Sequence, residues 1–132
     1  MKNIHIVILL LTVLCFQSCF VGEDGDSEKI VGNYYISGDY GFKNVHLGFE
    51  DKEWGGIGLI EQPITAIGNN DNYIIVKREL VETEFFILKV IESGIHSVAE
   101  ENVLGPLTER EFETKRHQLD LRDIKWAKNF EK

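Results

Sequence analysis

Tyr73-Ile74-Ile75-Val76-Lys77-Arg78 and Phe85-Phe86-Ile87-Leu88-Lys89-Val90-Ile91 are the two stretches that decide the fold of this chain. Both are apolar over several consecutive positions and rich in β-branched and aromatic residues. Side chains of a strand point to opposite faces in turn, so such runs predict strands covered on both faces, at the centre of a sheet. Val81–Glu84 is short enough to join them as neighbours. The residues of Gly68-Asn69-Asn70-Asp71-Asn72 tolerate positive φ or bond their own backbone, which predicts a hairpin loop before the first run.

Working outward toward the N-terminus, Ile57 to Ile67 reads as strand-rich and broken at Pro63, since proline cannot donate to a ladder. Asp51 to Gly56 is a connection pivoting on Gly55-Gly56. From Asn44 to Glu50 the pattern alternates, with Val45, Leu47 and Phe49 facing one way, which predicts a half-buried strand. Ile30 to Ile36 is a β-branched and aromatic run, and Ser37-Gly38-Asp39-Tyr40-Gly41 supplies turn residues.

Toward the C-terminus, Ser93-Gly94 ends the second central run, and Ile95 to Val103 reads as an extended segment or loop. Gly105-Pro106-Leu107-Thr108 then opens a helix. Thr108 is a natural N-cap, and Glu111 completes the capping box Thr-x-x-Glu. Leu107 and Phe112 stand at the positions of a hydrophobic staple. The helix is expected to reach about His117, with Phe112 and Leu119 on the core side and Lys115 and Arg116 near its C-terminal end, where cations suit the dipole. Leu121, Ile124 and Trp126 form a tail able to pack back. These elements predict a single α+β domain over residues 30–132: an antiparallel sheet of about five or six strands with the C-terminal helix packed on it.

The N-terminus carries a different signal. Lys2 precedes an apolar run from Ile6 to Leu14, long enough for a secretory signal and too short to span a bilayer. Cys15 follows bulky Leu14, whereas Cys19 follows small Ser18, as a signal peptidase requires. Phe16-Gln17-Ser18-Cys19 resembles a relaxed lipobox, with Phe16 where Leu is common. The expectation is a lipoprotein signal over residues 1–18, with lipid on Cys19. A plain cleaved signal or an uncleaved anchor are the alternatives. Residues 19–29 then form the lipidated cysteine and an acidic tether, through Glu23, Asp24, Asp26 and Glu28. The acidic run resembles the export signal of surface lipoproteins and reads equally well as a plain linker. The expected location is the cell envelope, lipid-anchored to the outer membrane, with surface exposure open.

The chain of 132 residues has a formal net charge of −8, and removing residues 1–18 takes away one positive charge, that of Lys2. This acidic balance argues against nucleic acid as a partner and against electrostatic docking on anionic lipid. No cysteine follows Cys19, so a disulfide, a thiolate metal site or a cysteine nucleophile has no residues to draw on.

The order Tyr73-Ile74-Ile75, then Phe85-Phe86-Ile87-Leu88, then Gly105-Pro106-Leu107-Thr108 and the capped helix resembles a family of small bacterial lipoproteins of unknown function. In that family a Tyr-Ile-Ile strand precedes a Tyr-Tyr-Ile-Ile-Asp strand, a Gly-Pro-Leu turn and a capped helix. The resemblance covers residues 63–122. Lys89 stands where the family has Asp, and Ser93 to Val103 exceeds its usual short turn. The resemblance implies the fold and the lipoprotein character, and it implies no activity.

Catalytic signatures are missing from the sequence. His46, His96 and His117 show no zinc-binding spacing, and His117 is explained by the helix dipole. No serine lies in a nucleophile motif, Gly55-Gly56-Ile57-Gly58 lacks a phosphate-loop setting, and Asn69 to Asn72 lacks the calcium-loop pattern. No catalytic residue, metal or cofactor is therefore assigned. Tyr34, Tyr35, Tyr40, Phe42 and Trp54 form the candidate binding surface, because aromatics near loops anchor protein partners or stack on sugars. The competing reading places alternate members in the core. The expected function is non-catalytic protein binding, of immunity or inhibitor type. An accessory or glycan-binding envelope role is the alternative, and an envelope hydrolase comes third.

Overall fold

The computed structural model describes residues 25–130. Its strands are β1 (Asp26–Val31), β2 (Tyr34–Asp39), β3 (Lys43–Asp51), β4 (Gly55–Ile60), β5 (Ile64–Asn69), β6 (Tyr73–Glu79), β7 (Thr83–Lys89), β8 (Val103–Leu107) and β9 (Lys128–Asn129). Helix α1 spans His96–Glu101, between β7 and β8, and α2 spans Glu109–Gln118, between β8 and β9. The strands form two antiparallel sheets, one ordered β1-β2-β3-β4 and the other β8-β7-β6-β5-β9.

The α+β class is as expected, but the single sheet divides in two. The break falls at Pro63, which follows a cis peptide bond between β4 and β5, where the chain leaves one sheet for the other. The two apolar runs pair without interruption from Tyr73↔Lys89 to Glu79↔Thr83. Strands β6 and β7 are the interior strands that their consecutive apolar residues require. Ile74, Val76, Phe86 and Leu88 face the first sheet and meet Tyr34, Ile36, Val45, Leu47 and Phe49 in the main core. Ile75, Phe85 and Ile87 face the other way, onto Phe112 of α2 and onto Leu121 and Ile124. The molecule is therefore layered as sheet, sheet, and helix with tail, with two cores back to back across β6 and β7.

Helix α2 starts as its sequence dictates. Thr108 Oγ1 accepts from the Glu111 N–H, and the Glu111 carboxylate accepts from the Thr108 N–H. Phe112 stacks on Phe85, at 4.6 Å, and on Trp126, at 5.8 Å, and the Trp126 ring also reaches Phe85, at 6.4 Å. The tail is held by Arg116, which donates to the carbonyls of Leu121 and Ile124 and lies over the Phe112 ring.

Several boundaries differ from expectation. Strand β1 begins at Asp26, so Asp26 to Lys29 belong to the domain and not to the tether. Alternating β1–β2 pairing, invisible as hydrophobicity, recruits these charged residues: Asp26 faces Gly38 and Lys29 faces Tyr35. Gly32, at φ +54, divides the Ile30–Ile36 run into two strands. Gly105-Pro106-Leu107 is the end of β8, paired with β7 through Leu107↔Phe85, and the helix starts after it. Ile95 to Val103 contains α1, whose N-terminal cap comes from β3 and could not be read locally. Leu119 is not a core residue. The helix ends before it, Asp120 turns the chain at φ +55, and Leu121 is buried instead.

Candidate functional site

Of the candidate residues, Cys19 lies outside the described residues, as do residues 1–18. The aromatics do not converge. Tyr34 is a core residue, edge-on to Phe49 at 5.0 Å, its hydroxyl donating to the Lys89 carbonyl and accepting from the Ile91 N–H. Burial pushes its phenol pKa up, and the Ile91 bond partly opposes that. Phe42 packs against Phe130 at 5.9 Å, on the rim of the main core. Tyr35 lies on the outer face of the first sheet, across glycines of the next two strands: a Cβ on either Gly48 or Gly56 would stand 2.5 Å from its hydroxyl oxygen. Its phenol is also pushed up, first by burial and then by the Glu50 charge. A shallow groove beside it is lined by Lys29, Asn33, Tyr35 and Glu50.

Tyr40 and Trp54 are the exposed members, at 81% and 79%. They sit in the turns at opposite ends of β3, Lys43–Asp51. At about 3.4 Å per residue those ends are roughly 27 Å apart, so the two rings cannot belong to one small-ligand site.

Trp54 is the aromatic with a built setting. It overhangs a cleft of about 440 Å³ together with Lys52, Ile57, Ile95, His96 and Ser97. One buried carboxylate holds this place together. Asp51 ends β3; its Oδ1 accepts from the N–H of Glu53 and of Trp54, at 2.8 and 3.0 Å, which fixes the turn presenting Trp54. Its Oδ2 accepts from the His96 N–H at 2.8 Å and so caps α1 from another strand. The Lys52 N–H donates to the Gly94 carbonyl, a second tie between the same segments. His96 Nε2 stands 3.0 Å from the Gly58 carbonyl oxygen, an acceptor, so that nitrogen carries the proton in this contact. The His96 N–H is the largest cause holding the Asp51 carboxyl below the usual range. The Glu53 N–H follows, burial opposes, and the Trp54 N–H and the His96 ring charge add smaller depressions.

Asp51, Ile57, Ile95, His96 and Ser97 were not among the residues singled out as a binding surface. An Asp two and three residues before the amides it accepts is a local turn signature, and Asp51-Lys52-Glu53-Trp54 carries it. The bond to His96 spans 45 residues and has no sequence signal. The cleft's chemistry is an exposed indole and aliphatic walls on a rigid floor. Among the described residues no group of three or more His, Cys, Asp or Glu is placed to hold a metal ion. No described helix is long and apolar enough to cross a membrane.

The fold and this cleft define a small two-sheet α+β domain with an aromatic-rimmed surface. The chain belongs to a family of proteins of unknown function, DUF3997, whose model matches residues 31–129. No curated protein and no solved structure matches it.

Proposed function

We propose that this protein is a lipid-anchored, non-catalytic binding module, attached through Cys19 and engaging a protein partner at the Trp54 cleft. The observation that carries the reading is Trp54 itself, 79% exposed on a turn locked by two hydrogen bonds to Asp51. Tryptophan is enriched among the residues that dominate binding energy, and a rigid backbone lowers the entropy lost on association. The aliphatic walls of Ile57 and Ile95 give an incoming side chain apolar contact.

A photo-crosslinking residue at position 54, in the full chain in its native envelope, tests this. The expected result is one discrete protein adduct, absent when the crosslinker stands at exposed Lys89. Equal crosslinking from both positions, or none from position 54, overturns the reading. Binding to an envelope glycan that is lost in Trp54→Ala would assign the cleft to the accessory reading instead.

A further inference from the structure

We infer that the end of the domain carrying Tyr40, Leu80 and Val81 rests on the bilayer surface, and that the Trp54 cleft faces away from it. The inference builds on the Cys19 anchor proposed above and adds an orientation and a second contact.

Two independent features select the same end. The first is where β1 begins. Asp26 Oδ2 accepts from the N–H groups of Gly41 and Phe42, which pins the start of β1 to the β2–β3 turn that exposes Tyr40. Only seven steps of chain separate Cys19 from Asp26, at most about 25 Å fully extended. A lipid on Cys19 therefore keeps the Tyr40 end close to the membrane, whereas the Trp54 end reaches it only when the domain tips by a quarter turn or more.

The second feature is the β6–β7 turn. Leu80 and Val81 are exposed there, Val81 completely. Pairing places this turn at the same end as Tyr40. Phe42 stacks near Phe130, whose N–H donates to Thr65, and the adjacent Ile64 faces Arg78 at the close of β6. The opposite end is marked by Tyr34 bonded to Lys89, which faces Tyr73. Thus three of the most exposed large apolar side chains among the described residues cluster where the tether attaches. The fourth, Trp54, is at the far end.

Lipid fits this end better than an anionic-surface contact does. Asp26, Asp39, Glu79, Glu82 and Glu84 lie at or beside the turns, against Lys43, Lys77 and Arg78, so there is no net positive patch to seek anionic headgroups. Tyrosine prefers the interface, and Leu and Val gain by leaving water. Contact should therefore be insensitive to the charge of the lipid.

The lipidated full chain, purified and reconstituted in phosphatidylcholine vesicles with or without phosphatidylglycerol, provides the test. Single variants Tyr40→Cys, Val81→Cys and Trp54→Cys receive a thiol-reactive fluorophore, and quenching by nitroxide-headgroup lipid is read. Labels at 40 and 81 should be quenched at least three-fold more than the label at 54, in both lipid mixtures. Equal quenching at the three positions, or stronger quenching at 54, overturns the orientation. Quenching only with phosphatidylglycerol overturns the apolar contact. The parent chain separates this from the anchor: failure to float with vesicles, or uptake of label by Cys19, overturns the anchor and the orientation with it. Flotation without label uptake by Cys19, combined with equal quenching, overturns the orientation alone.

Discussion

Replacing Gly48 by alanine should destabilise the domain, although a glycine-to-alanine change inside a strand ordinarily does the reverse. Glycine costs about 0.5–1 kcal/mol relative to alanine in a strand because it loses more conformational freedom on folding. At Gly48 that gain meets an obstacle. A new Cβ would lie 2.5 Å from the Tyr35 hydroxyl oxygen and also against its ring carbons. Gly48 faces Tyr35 directly across β2 and β3, so the clash is built into the register. The ring must then swing off the sheet or the strands must part. Overpacking costs about 1–3 kcal/mol in well-packed sites, and the half-buried ring can yield toward solvent, which favours the lower half of that range. Setting this against the intrinsic gain leaves a net loss of up to about 1.5 kcal/mol.

Gly58 supplies an internal control in the same sheet, because a Cβ there meets nothing within 4 Å. Gly58→Ala should be neutral or stabilising by up to about 1 kcal/mol. Urea denaturation of both variants reads the difference in sign, since a change of 1 kcal/mol moves the midpoint by roughly 0.3–1 M at typical slopes. In a Tyr35→Ala background the obstacle is gone, and Gly48→Ala should become neutral or stabilising. The double-mutant cycle would then yield a coupling of about 1–2 kcal/mol. If Gly48→Ala stabilises the parent as Gly58→Ala does, Tyr35 does not rest on that glycine and the reasoning fails.

At Gly68 a Cβ would overlap the carbonyl oxygen of Lys125, which is backbone and cannot rotate away. Gly68→Ala should cost about 2–3 kcal/mol and speed hydrogen exchange of the Ala127 amide, which is bonded to Ile67; an unchanged denaturation midpoint would refute the close approach. Asp51 and Glu111 both have carboxyl pKa values held below the usual range, Glu111 first by the Thr108 N–H. As pH falls below about 5 the unfolded chain takes up these protons before the folded one does, so stability present at neutral pH is lost progressively with acidification. Denaturation midpoints measured down that range should fall less steeply in Asp51→Asn than in the parent, and identical slopes would show that Asp51 carries no such linkage.

Local chemistry was legible where one stretch of chain determines its own structure. The capping box at Thr108 and Glu111 needs four consecutive residues, and it formed as written. Strands β6 and β7 announce their central position because both faces of each are apolar, and both faces are covered. The tail packs back through Leu121 and Ile124 for the same reason. What escaped sequence reading depends on partners distant in the chain. Helix α1 has Ile95 as its N-cap, a residue that cannot accept a hydrogen bond through its side chain, so its start is invisible until Asp51 arrives from β3. Strand β1 is mostly polar and charged, and its strand character comes from pairing with β2. The aromatic cluster failed as one surface because sequence proximity across a nine-residue strand means separation, not convergence, at its two ends.

The way both sheets are finished narrows where a partner can meet this molecule. The outer face of the second sheet is occupied by α2 and the tail, with Phe112 stacked on Phe85 and Trp126 packed against both. On the outer face of the first sheet, Tyr35 fills the space over Gly48 and Gly56, and the rest of that face is polar, with Lys29, Ser37, His46 and Glu50. Broad faces finished in this way offer little unsatisfied apolar area. The most exposed large apolar side chains among the described residues are displaced to the turns, Tyr40, Leu80 and Val81 at one end and Trp54 at the other. Turns tolerate such residues only weakly on solvation grounds, since exposed Val, Leu and Trp gain nothing from water. Of the two ends, the one at Trp54 is stiffened by a buried carboxylate that accepts three backbone N–H bonds, while the end at Tyr40 is stiffened by Asp26, the residue where the described chain begins its first strand. Each end thus combines an exposed apolar tip with an aspartate that fixes its backbone, and that pairing distinguishes them from the polar Asn70–Asn72 turn, where Asn70 fixes the backbone with no exposed apolar side chain to present.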